Sequence, residues 1–248
     1  MQVKEHYENH LASFYSWMLG DLESKSTAFK DFLVDNGIEP NNTKVAIDLG
    51  AGNGIQSIAL KELGFEVTAV DFNQQLLDEL QSNLKGVGIN IELLNIRNVL
   101  KFKDLKPELI ICCGDTITHL ENKEQIKNII EDAKDILLDN GNLVLTFRDY
   151  SNELNDSQRF IPVKSSTDRI LTCILEYGTE KVKVTDLLHE KIKGEWTQKV
   201  SSYEKVRVSP NEIVGFLEKS GLEIKFNEPI NRIQTIIARK TAYNNGYS

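Results

Sequence analysis

From position 44 onward, short runs of β-branched and aliphatic residues alternate with longer stretches in which apolar residues recur every three to four positions. Five runs, 44–49, 66–71, 89–94, 109–113 and 142–147, have the length and content of buried strands. Between them 55–63, 74–84 and 124–138 read as helices, and the turn-rich stretch 100–106 has room for a short one at most. Strand and helix repeated in this way imply right-handed crossovers and a parallel sheet covered on both faces. Gly64, Gly86 or Gly88, and Gly141 fall where helices must hand over to strands.

After Asp149 the pattern switches to period two. The segments 159–163, 170–177, 182–191 and 195–208 interleave Val, Ile, Thr and Tyr with charges, which predicts antiparallel half-exposed strands with a solvated, charged outer face. Ser209-Pro210-Asn211-Glu212 then reads as an N-cap, a proline at the first helical position and a glutamate at the third, opening a helix that stops at Ser220-Gly221. Strands at 222–226 and 234–240 close the pattern, and the Asn-rich tail from Asn244 is expected to fray. Ahead of the alternating region, Tyr7, Leu11, Phe14, Tyr15 and Met18 share one helical face, and a second helix covers 22–36. The expected organisation is an N-terminal helical segment at 1–43 and one α/β domain at 44–248, with an antiparallel insertion at about 156–208.

Composition narrows the classes. A net charge of −8 with no basic run disfavours a polyphosphate partner, so no nucleic acid is expected. The longest apolar run, 109–113, is far short of a membrane span, and the first residues lack the basic and apolar regions of a signal peptide. Three cysteines, two of them adjacent, offer neither a metal spacing nor a disulfide framework, so no metal is expected. A soluble protein of the reducing cytoplasm, without a membrane partner, fits best.

The chemistry centres on Asp48-Leu49-Gly50-Ala51-Gly52-Asn53-Gly54, where a buried strand enters three glycines spaced two apart and then a helix. Glycines let the backbone turn sharply and approach a ligand, and the helix N-terminus adds unpaired N–H groups. The dinucleotide fingerprint needs its third glycine one position later, where Ile55 stands. Asp48 can hold the loop or reach a cationic ligand group, and a pyrophosphate beside it is disfavoured. Asp71 ends the second strand, where an acid can accept both hydroxyls of a ribose or instead cap the next helix. Phe72 can cover a face of a purine.

Together these residues resemble the class I S-adenosylmethionine-dependent methyltransferases, from about Lys44 to Lys240. D48-L-G-A-G-N-G54 is similar to that family's acid-x-Gly-x-Gly-x-Gly motif, and V67-T-A-V-D71 to its second motif. The resemblance implies a Rossmann-like seven-stranded, mostly parallel sheet of order 3-2-1-4-5-7-6. It also implies S-adenosyl-L-methionine as cofactor and S-adenosyl-L-homocysteine as product. It carries cofactor contacts onto Asp48, Gly50, Ala51, Gly52, Asp71 and Phe72, onto Asn95 and Ile96 beside the adenine, and onto Gly114 beside the methyl-transfer site.

On the acceptor side, His119 lies just past the fourth strand and can act as a base or simply pack. Asp115, Arg148 and Tyr150 should face the same crevice, Arg148 either clamping a substrate carboxylate or pairing with Asp149 or Asp115. Tyr7, Tyr15 and Trp17 can form a lid or be core. The proline-cysteine nucleophile of cytosine-C5 enzymes and the Asn/Asp-Pro-Pro-aromatic motif are both missing, which points to a small-molecule N or O acceptor. A cofactor-binding sensor without turnover and an enzyme acting on a macromolecule are the alternatives. The insertion is expected to serve as a substrate cover or as the contact of a homodimer.

Overall fold

The computed structural model describes residues 3–242; the tail expected to fray from Asn244 lies outside them. The chain begins with α1 (Val3–Asn9), a 3-10 turn (Leu11–Phe14), α2 (Tyr15–Leu19) and α3 (Leu22–Asp35). There follow β1 (Val45–Leu49), α4 (Ile55–Glu62), β2 (Glu66–Asp71), α5 (Gln74–Asn83), β3 (Asn90–Leu93), β4 (Leu109–Cys112), α6 (Lys123–Ile136) and β5 (Asn142–Phe147). The insertion is β6 (Phe160–Ser165), β7 (Arg169–Tyr177), β8 (Lys181–Ile192) and β9 (Glu195–Val206), after which come α7 (Pro210–Lys219), β10 (Leu222–Ile230) and β11 (Ile233–Lys240).

Seven strands form one sheet in the order β10-β11-β5-β4-β1-β2-β3. Strands β1 to β5 run parallel, and β11 pairs antiparallel with both β5 and β10. Leaving the insertion aside, this is the expected 3-2-1-4-5-7-6. Its central strands are apolar on both faces because helices cover both. Ile47, Ile110, Leu143 and Ile236 pack towards α6 and α7, whereas Ala46, Ile111, Val144 and Ile237 pack with Leu33, Phe29 and Phe32 of α3. The capping box at Ser209 and Glu212 forms as the sequence predicts.

Three expectations change. The N-terminal helix breaks at His10 (φ −141°), so its aromatic face is carried by two short helices and a turn. The segment expected to hold a short helix at most is a longer pair of 3-10 turns, Ile96–Leu105, kinked at Asn98, which buries Ile96, Val99 and Phe102. Finally, α3 belongs to the main core, so within 1–43 only the stretch through Leu19 stands apart from it. That stretch packs on the inner face of the insertion sheet, β6-β7-β8-β9, where Leu11 and Phe14 meet Leu171 and Leu188. No helix among the described residues is long and apolar enough to cross a membrane.

Candidate active site

The turn from β1 into α4 is tight enough to demand its glycines. Gly50, Gly52 and Gly54 have φ of 82°, 55° and 95°. A Cβ on Gly50 would stand 2.5 Å from the Thr116 side chain, and one on Gly54 would stand 2.7 Å from Leu80. Two buried carboxylates hold this turn. Asp48 accepts a hydrogen bond from the Ser57 hydroxyl at 2.6 Å, and burial pushes its carboxyl up to about 7. It secures the loop to α4 and does not line the cavity. Ala51 likewise turns its side chain inward, among Leu77 and Leu80.

Asp71 accepts from the Gly52 N–H and the Asn73 N–H, both at 2.9 Å, and burial raises its pKa. The cap of α5 is Asn73, whose side chain accepts from Leu76 N–H, so Asp71 is not spent on capping. A carboxylate offers about four acceptor sites. Those that its two backbone bonds leave free can take hydroxyl donors.

At the carboxyl ends of β1, β2 and β4 lies a cavity of about 1050 Å³. One end is lined by Gly50, Gly52, Asp71, Phe72, Asn95 and Ile96, with Leu76 and Leu94 completing an apolar slot. Asn95 also caps the following turn, accepting from Arg97 N–H at 3.0 Å. The other end is walled by Gly114, Thr116, His119, Tyr15 and Tyr7, and the mouth by Val3, Lys4, Glu5, Lys181 and Glu204.

His119 presents its ring between Tyr203, stacked at 5.5 Å and 19°, and Tyr7, edge-on at 5.6 Å. The Tyr7 hydroxyl lies 3.4 Å from Nε2, and Nδ1 is shielded without a hydrogen-bond partner. Burial, reinforced by the Lys205 ammonium, lowers its pKa to about 3, so the ring is neutral at neutral pH. Asp115, buried beneath it, does not line the cavity. It gathers Thr118 Oγ1, Arg148 N–H and Tyr150 OH at 2.9 Å each, together with Lys205 Nζ. Burial alone would raise its carboxyl, but Lys205 and His119 hold it below the usual range.

The structure places three acceptor-side candidates away from the cavity lining. The Arg148 side chain is exposed, lines none of the cavity and, among the described residues, forms no ion pair with Asp149 or Asp115; only its backbone contributes. Tyr150 is buried under the insertion and bonded to Asp115. Trp17 lies against the insertion, with Lys164 and Arg169 over its ring at 5.6 and 5.8 Å. Sequence reasoning missed Ser57, Lys205 and Tyr203. His6 is likewise buried, stacked on Tyr203, 2.8 Å from Ser201 Oγ and 3.1 Å from Asp186 Oδ2. The alternation along β8 and β9 marks these positions as one face, but nothing in it says which partner they meet.

A family model described as "Methyltransferase domain" matches residues 46–141, the segment that carries the glycine turn, Asp71 and the β4 end. That segment is similar to methyltransferase domains. The chain is 30% identical to the glycine/sarcosine/dimethylglycine N-methyltransferase of Actinopolyspora halophila, over 54% of this chain and 23% of that protein. It is 24% identical to the glycine/sarcosine N-methyltransferase of Aphanothece halophytica, over 61% of this chain and 59% of that one. The chain thus spans less than two thirds of the length of these curated relatives. Among solved structures, the CcbJ methyltransferase of Streptomyces caelestis superposes with a TM-score of 0.76 at 15% identity, covering 97% of both chains.

Proposed function

We propose that the chain transfers a methyl group from S-adenosylmethionine to the nitrogen of a small amine. The observation that carries this is the single cavity that joins the glycine turn and Asp71 at one end to His119 and Tyr7 at the other. The cofactor end fits the group. Asp71 keeps acceptor sites for ribose hydroxyls, Phe72, Leu76 and Ile96 offer a slot for a planar ring, and the glycine turn admits the aminoacyl part. When bound, S-adenosylmethionine supplies an electrophilic methyl group on a sulfonium.

The chain's own task is then to orient an acceptor in line with that methyl and to exclude water. Neutral His119 and the Tyr7 hydroxyl can hold the acceptor nitrogen with its lone pair forward; a base of such low pKa positions better than it abstracts. Tyr7 and Tyr15 descend from the N-terminal segment, which we read as a lid spanning α1 to α2. The names of the glycine and sarcosine N-methyltransferases support an amine acceptor over an oxygen acceptor. The acidic chain supports a small molecule over RNA, and its three free thiols support a reducing cytoplasm.

A homodimer through the insertion is also part of this reading. The register of β6 to β9 puts Phe160, Ile170, Leu187, Trp196 and Val200 on the outer face, beside expected charges such as the Lys183–Glu176 pair and Lys191. Val200 is 58% and Phe160 51% exposed. Exposed apolar side chains grouped on one face in this way suit a subunit contact.

Calorimetry with S-adenosylhomocysteine on the wild type and on Asp71→Ala tests the cofactor end. Binding by the wild type that Asp71→Ala abolishes is expected, and equal affinity in both would sink the reading. Methyl transfer from labelled cofactor to glycine, sarcosine and a panel of small amines tests the acceptor. Tight cofactor binding without transfer to any amine would favour a sensor.

A further inference from the structure

Lys205 sits on β9, the last strand of the insertion, yet its ammonium reaches Asp115 at the end of β4 in the main sheet. Both side chains are buried, at 8% and 6% exposure. Between them they tie together segments that are 90 residues apart in sequence. The pair lies among the rings of Tyr150 and Tyr203, 5.7 and 5.6 Å from Lys205 Nζ. An apolar side chain would be at home in such surroundings, and replacing a buried ion pair by apolar residues is often neutral for stability. Stability alone therefore gives little reason for a charge here.

The turn that Asp115 begins has unusual demands. Gly114 and Asp115 are both in the left-handed region, at φ 71° and 74°. A non-glycine residue stays there only where its surroundings over-determine it. Asp115 is fixed by four donors, of which Thr118 belongs to the turn itself, Arg148 and Tyr150 follow β5, and Lys205 alone comes from the insertion. The turn, so held, sets Thr116 against Gly50 and His119 on the cavity wall.

We propose that Lys205 is a positioning residue: by pairing with Asp115 it holds the turn 114–119, so that the last strand of the insertion sets the shape of the methyl-transfer end of the cavity. The proposal rests on the reading of that cavity as a cofactor site. It also makes the field at His119 depend on the insertion. The groups facing that ring are Tyr7 and His6 from α1, Tyr203 and Lys205 from β9, and Asp115 from its own turn.

The test uses the full chain with Lys205→Met, Lys205→Arg and the double variant Lys205→Met/Asp115→Asn, the last guarding against misfolding around an orphaned carboxylate. S-adenosylhomocysteine is titrated by calorimetry, and the His119 ring is titrated by NMR without ligand. Displacements of about 1 Å can cost on the order of 100-fold, so Lys205→Met and the double variant are expected to lose about tenfold or more in affinity. In Lys205→Met the His119 midpoint should move up towards the ordinary imidazole range, and Lys205→Arg should restore most of both properties. Affinity equal to that of the wild type in both Lys205→Met and the double variant overturns the proposal, whatever His119 does. If the wild type does not bind S-adenosylhomocysteine, the cofactor reading fails instead. The His119 midpoint then decides alone, and an unmoved one overturns the proposal.

Discussion

Asp48 and His119 are displaced in opposite directions by the same cause, burial, and this has a measurable signature. Asp48, raised to about 7, keeps its proton in the folded state after the unfolded chain has lost it, so its contribution to stability falls as pH rises from about 4 to about 7. His119, lowered to about 3, takes up its proton in the unfolded chain first, so its contribution grows as pH rises from about 3 to about 6.5. Each unmatched proton is worth about 1.4 kcal/mol per pH unit. Between pH 4 and 6.5 the two slopes oppose one another. Relative to the wild type, denaturant midpoints of Asp48→Asn should therefore rise with pH across this window, and those of His119→Gln should fall. Parallel profiles for the two variants would contradict the burial assigned to one of them. Gly50→Ala is a third case at this scale. Its methyl group would meet Thr116, and a positive φ adds strain of about 1 kcal/mol or more. Loss of S-adenosylhomocysteine binding in a protein that still melts cooperatively is the expected outcome.

Among the elements, the parallel strands β1 to β5 were legible to within a residue because each is a β-branched run bounded by glycine or a polar turn, whereas β10 runs four residues past the expected 222–226. The loop at Asp48–Gly54 and the acid at Asp71 were legible for the same reason, since local spacing carries them. What stayed hidden depends on distance in sequence. Nothing near position 205 announces a partner at 115, and nothing near His6 announces Asp186 and Ser201. The 3-10 turns at Ile96–Leu105 were underestimated because their apolar residues recur at three-residue steps, too short a run to distinguish from a loop. The outer face of the insertion carries charges such as Glu176 and Lys183, as expected, but its apolar members went unread because an alternating pattern says that two faces differ, not which one solvent sees. At this scale His6 is the pin of α1. His6→Ala should cost about 1–3 kcal/mol, as expected when buried hydrogen-bonding groups are orphaned. The loss should appear as faster amide exchange in residues 3–19, with β1 to β5 unchanged; uniform acceleration would show that α1 is no separate unit.

For the whole molecule, the exposed apolar side chains on the outer face of β6 to β9, Phe160, Trp196 and Val200 among them, predict association. Sheets that pack face to face sit about 10 Å apart with apolar centres. Val200→Lys should convert a dimer to a monomer in light scattering at micromolar concentration, while leaving S-adenosylhomocysteine affinity intact. A wild type that is already monomeric there would refute the contact.

The course of the chain also fixes where anything attached to it must emerge. Val3, Lys4 and Glu5 stand at the mouth of the cavity. Lys240 ends β11 beside Asn140 and Gly141, at the opposite rim of the sheet. A fluorescent protein or purification tag joined ahead of Val3 would stand in the entrance and slow ligand exchange, whereas the same cargo attached behind Lys240 would leave the entrance clear. An immobilised enzyme or biosensor made from this chain should accordingly be tethered by its far end.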